Sequence, residues 1–132
     1  MPDIHEVIRK ICLAFPEAEE VTSHGSPDFR VRGKSYATFT VNHHGDGKLA
    51  LLLNTSRETQ QMYVDAAPKI FFVPPYVGPK GWVGIDLAQG MRWERVAELA
   101  HDAYVRVAPA ALGKEAVPLK KVPKPDTVDI RK

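Results

Sequence analysis

Tyr76, Lys80 and Trp82 stand close together in the run VPPYVGPKGW, which also carries Pro74, Pro75, Gly78, Pro79 and Gly81. A lysine can meet a phosphate, and an aromatic ring can stack on a base or wedge into a groove. The prolines fix φ and stiffen the loop, while the glycines let a partner's backbone approach closely. The same two rings could instead fold back onto the core, leaving Lys80 solvated. Both arrangements stand at this level.

Other groups with chemical potential carry less weight. His43, His44 and Asp46 in HHGDG are of metal-ligand type. Neighbouring residues at a strand end point apart, however, so a polar turn built on Gly45 and Gly47 is the expectation there. His24, in SHGSP, lies in a second turn-like stretch. Glu17, Glu19 and Glu20 form an acidic cluster that reads as a solvated loop. His101 and Asp102 are adjacent on a helix, where their side chains diverge. The chain has no GxGxxG, GxxxxGK[ST], CxxC, HExxH or GxSxG signature. No catalytic residue, metal or cofactor is therefore expected.

The elements that position these residues follow from periodicity. Ile4, Val7, Ile8, Ile11, Cys12 and Phe15 recur at the spacing of one helix face, capped by Asp3 and stopped before Pro16. Cys12 falls in that stripe and reads as a packed thiol. DFRVR and SYATFTVN form a hairpin around a Gly33–Lys34 turn, and KLALLLN is a buried strand. Thr55, Ser56 and Glu58 open a helix over about residues 56–66 that Pro68 stops. KIFFV and GWVGIDL add two strands. Trp93, Val96, Ala97, Ala100, Ala103, Tyr104 and Val107 mark the last helix. The expected order is αβββαββα, an α/β (α+β) antiparallel sheet with helices on one face. Around the turn both sheet faces are mixed, so Arg30 and Arg32 are open to either side.

Length and charge bound the rest. The chain has 132 residues and a net charge of +2, which suits one domain. Residues 1–112 hold 12 Lys+Arg and 13 Asp+Glu, whereas 113–132 hold 6 and 3. The expectation is a domain over 1–112 followed by a basic, proline-containing tail over 113–132, extended or mobile. A near-neutral domain argues against tight nucleic-acid binding. No apolar run spans a bilayer, and the start lacks a signal-peptide pattern, so a cytoplasmic protein with no membrane partner is expected.

From FPEAEE through SHGSPDFRVRGKSYATF and HHGDGKLALLL to PYVGPKGWVGIDL and WERVAELAHDAYVRVAP, the chain resembles the MmcQ/YjbR family over about residues 3–109. That resemblance implies a CyaY-like (frataxin-like) fold. It also implies a weak, sequence-tolerant, non-enzymatic DNA-binding module of double-wing shape. One wing would be FRVRGKSY, with Arg30, Arg32 and Lys34, and the other YVGPKGW, with Lys80 and Trp82. Many family members have a histidine between that lysine and tryptophan; here the position is Gly81. The frataxin relation implies a second class, metal binding, but the acidic ridge of frataxins is offset here by Arg9 and Lys10. The remaining alternative is a small-ligand or protein-binding regulatory domain with its pocket near His24, His43, Tyr76 and Trp82.

Overall fold

Asp3 accepts a hydrogen bond from the Glu6 amide at 2.8 Å, and the helix it caps, α1 (Ile4–Cys12), buries Val7, Ile8, Ile11 and Cys12. The computed structural model describes residues 3–125. After α1 come β1 (Ala18–Ser23), β2 (Ser26–Val31), β3 (Lys34–Val41) and β4 (Leu49–Leu53), then α2 (Arg57–Ala66). They are followed by β5 (Phe71–Phe72), β6 (Val83–Asp86), α3 (Trp93–Val107) and a short α4 (Ala110–Glu115). The sheet is antiparallel throughout, in the order β1-β2-β3-β4-β6-β5. No helix among the described residues is long and apolar enough to cross a membrane.

The expected class holds, with two elements added. Glu19 and Glu20 of the acidic stretch lie in strand β1 rather than a loop, with Glu17 in the bend before it, and α4 follows α3. As an edge strand, β1 has one side to pair and shows acids to water. Glu20, however, lies on the helix side, where burial works to raise its carboxyl. Arg9, bonded at 2.7 Å, and His5 outweigh that effect and hold it below the usual carboxylate range.

Leu49, Leu51 and Leu53 of β4, with Val83, Ile85 and Phe71, face α1, α2 and α3. Tyr36, Phe15 and Tyr104 meet where α1, β3 and α3 converge, and the Tyr36 and Tyr104 rings cross edge to face at 5.3 Å. The Tyr36 hydroxyl donates to the Cys12 carbonyl and that of Tyr104 to Pro16, so both ends of the bend after α1 are tied down. Burial pushes the Cys12 thiol far up, out of the reactive range. Native protein should therefore react with a thiol reagent more than about 100-fold slower than unfolded protein, the factor set by an opening cost of about 3 kcal/mol. Equal rates with and without denaturant, followed by absorbance, would place Cys12 at the surface.

The expected tail boundary at residue 112 falls inside α4. Ala116 is buried, Leu119 and Val122 pack on the core, and the Ala116 carbonyl lies 3.0 Å from His101 Nε2. The described tail residues thus lie against the domain. Residues 126–132 and the His44 side chain lie outside the described residues.

Candidate functional site

The β2–β3 turn is Arg32–Gly33, not Gly33–Lys34. Val31 pairs with Lys34, and Arg32 and Gly33 have φ of 51° and 79°, the type I′ pattern that matches strand twist. His24–Gly25 repeats it between β1 and β2. A bulge opposite Phe29/Arg30 then places Tyr36 and Ala37 both toward the helices, which explains the mixed faces of the sequence pattern.

This register settles Arg30 and Arg32. Arg30 lies on the open face beside Asp28, two residues away on the same side of the strand, with Nε 2.6 Å from the Asp28 carboxylate. Asp28 is buried and also accepts from the Ser35 and Thr38 hydroxyls. Arg32 makes a two-pronged pair with Glu17 at 2.8 and 3.0 Å. That pairing holds the Glu17 carboxyl below its usual range and raises Arg32 further. Lys34 is exposed and forms no ion pair with a described residue.

The second loop is anchored rather than projecting. Along β6, Val83 and Ile85 face the helices, so Trp82 and Gly84 face the other way. Trp82 is 8% exposed, packed with Ala50, Leu52, Phe72 and Val77. Buried Gln60 of α2 donates one amide nitrogen to the Gly78 and Trp82 carbonyls at 2.8 and 2.6 Å. A 3-10 turn over Gly78–Lys80 leaves Lys80 exposed and, like Lys34, in no ion pair with a described residue. The Val77 amide bonds to the Pro75 carbonyl across Tyr76, whose φ is 65°. This is a strained three-residue turn and holds a side chain that is 75% exposed.

Strand pairing fixes where these loops lie. Ala37 pairs with Leu53 and Leu53 with Val83, so the Arg32–Gly33 turn and the 73–82 loop leave the same end of the sheet. They are about three strand spacings, roughly 14 Å, apart. His24 and His43 lie at the opposite end, beside the β1–β2 and β3–β4 connections. The pocket expected from His24, His43, Tyr76 and Trp82 is therefore not assembled. No cluster of metal-ligating groups occurs among the described residues.

The YjbR family model matches residues 13–106. The chain belongs to the YjbR family. The matched span holds every strand, α2 and nearly all of α3, so both turns of this YjbR chain lie inside it, while α1 and α4 lie outside. The crystal structure of the Deinococcus radiodurans protein DR2400, of domain family DUF419, is similar in fold. It shares 23% identity, with a TM-score of 0.66 over 87% of this chain and 88% of that one. No curated protein matches. At Gly81, where many YjbR relatives carry histidine, φ is +102° and a Cβ would sit 2.6 Å from the Thr55 carbonyl oxygen. This YjbR chain leaves no room for that side chain.

Gln60 and Asp28 are the residues that sequence reading passed over. A glutamine in the first half of α2 and an aspartate within β2 look solvated in one dimension. Only the i, i+2 spacing of Asp28 and Arg30 hinted at a shared face.

Proposed function

We propose that this protein is a non-enzymatic module that binds nucleic acid weakly and without strong sequence preference, through the sheet end carrying the Arg32–Gly33 turn and the 73–82 loop. The supporting observation is that this one end presents exposed Lys34 and Lys80, neither in an ion pair with a described residue, together with the exposed Tyr76 ring. Exposed Arg57 opens α2 beside the 78–80 turn, partly offset by Glu58. Lys34 and Lys80 act as phosphate contacts that set position without reading sequence. Tyr76 takes the stacking role that Trp82, being packed, cannot. Arg30 and Arg32 contribute little, since a phosphate approaching either one meets Asp28 or Glu17 as well.

Fluorescence anisotropy with short duplexes tests this. Lys34→Ala and Lys80→Ala should each weaken binding by about the same factor for every sequence and lower the salt slope by about one unit or less. Unchanged affinity in both variants at low salt would end the reading.

A further inference from the structure

We infer that the cleft between α2 and α3 is a binding site for a small amphipathic carboxylate, separate from the nucleic-acid reading above. The cleft is about 550 Å³, within the range of small-molecule sites. Its floor is made by Leu53, Phe71, Val83 and Ala103, all buried members of the main core. Such a floor offers an apolar body a dry, rigid seat.

Polar groups gather at one end of this cleft. There Asn54, Thr55 and Ser56 connect β4 to α2, and Arg106 reaches in from the last turn of α3. Asn54 is itself fixed, donating to the Ser35 carbonyl at 3.2 Å and accepting from Arg106 Nε at 3.2 Å. That contact uses one edge of the guanidinium. The terminal nitrogens of Arg106 have no partner among the described residues, which leaves a planar pair of donors of the kind that matches a carboxylate. Ser56 is already committed to the Thr59 amide and hydroxyl, so among the polar side chains of this end the guanidinium is the strong donor left over. Asp102, one turn earlier on α3, also lines the cleft but is 66% exposed. Its charge is largely screened by water, so it weakens the hold on an anion only modestly.

The ligand class follows from these features: one carboxylate for Arg106, and a flat or compact apolar body for the floor between Leu53 and Ala103.

The test is a methyl and amide NMR titration of the full chain with 2-naphthoate, and in parallel with 2-naphthamide, which has the same body and no charge. Naphthoate should give saturable shifts at Leu53, Val83, Leu99 and Val105, with the amide weaker. Arg106→Gln should weaken naphthoate about tenfold, equivalent to about 1.4 kcal/mol, and leave the amide unchanged. Met62→Glu, at a 57% exposed position on the cleft wall where folding is not at stake, should weaken naphthoate more than the amide, since both lose the Met62 contact and only naphthoate meets the added charge. Absence of saturable cleft shifts at millimolar naphthoate would overturn the assignment. So would shifts confined to the Lys34 and Lys80 turns, or equal naphthoate affinity in Arg106→Gln. None of these results depends on whether duplex DNA binds.

Discussion

Trp82→Ala is expected to lower the stability of the domain by about 3–5 kcal/mol while leaving the DNA affinity of the folded protein nearly unchanged. The ring lies on the sheet face that carries no helix, yet it is packed by Ala50, Leu52, Phe72 and Val77. Small residues make this possible: Ala50 is fully buried, and Phe72 lies flat on Gly84, where a Cβ would meet its ring at 2.3 Å. Truncation would open a void that neighbouring backbone, fixed by strand pairing on both sides, can close only partly. The Trp82 carbonyl would still accept from Gln60, so the loss comes from packing and not from a broken hydrogen bond. Urea unfolding followed by circular dichroism measures the first quantity, and anisotropy with a duplex measures the second. Near-native stability combined with lost DNA binding would show that Trp82 is a contact residue and that its packing here is dispensable.

What made this placement hard to read in sequence is instructive. The alternation Val83, Gly84, Ile85 shows that Trp82 points opposite to the helices, but not whether that face is covered. Coverage depends on β5 lying next to β6, which brings Phe72 over Gly84, a contact between strands that no local pattern announces. The apolar stripes of α1 and α3 and the continuous LALLL of β4 were legible because one buried face dictates each of them. β1 was not, because Glu20 faces the helices and is satisfied there by Arg9, an acid where alternation calls for an apolar group. The hairpin register slipped by one because Arg32 adopts positive φ, a conformation that a side chain with a Cβ disfavours, and the Tyr36 bulge hid the correction.

Charge shows the same limit. Arg30, Arg32 and Lys34 look like one basic wing when written in a row, but the fold gives two of them carboxylate partners from different elements. Glu17 comes from the bend before β1, and Asp28 from two residues upstream on β2. Exposed pairs such as Arg32–Glu17 add little stability. Their effect here is on the field: they offset the positive charge of Arg30 and Arg32 and leave Lys34 as the cation of that turn without a carboxylate partner among the described residues.

A side chain at position 81 should be nearly as damaging as removing Trp82. Gly81→Ala and Gly81→His are each expected to cost roughly 2–5 kcal/mol, combining backbone strain at φ +102° with forced separation of packed segments. The contacts a Cβ would make are all to backbone: Thr55 O at 2.6 Å, Arg57 N at 2.9 Å and Ser56 C at 3.0 Å. None of these can swing aside as a side chain could, so either the 78–80 turn or the start of α2 must move. Gly33→Ala is the control, since φ there is +79° but nothing lies within 4 Å of the added carbon. It should show the conformational cost alone, roughly 1–2 kcal/mol. The difference between the two alanine variants in urea unfolding therefore isolates the contact between the loop and α2. If Gly81→His matches the parent in stability, the 78–80 turn is not held against α2, and the histidine of other family members could be accommodated here. If it is strongly destabilised, the close approach at Gly81, reinforced by Gln60 on the Gly78 and Trp82 carbonyls, is what fixes Lys80 at the sheet end it shares with Lys34.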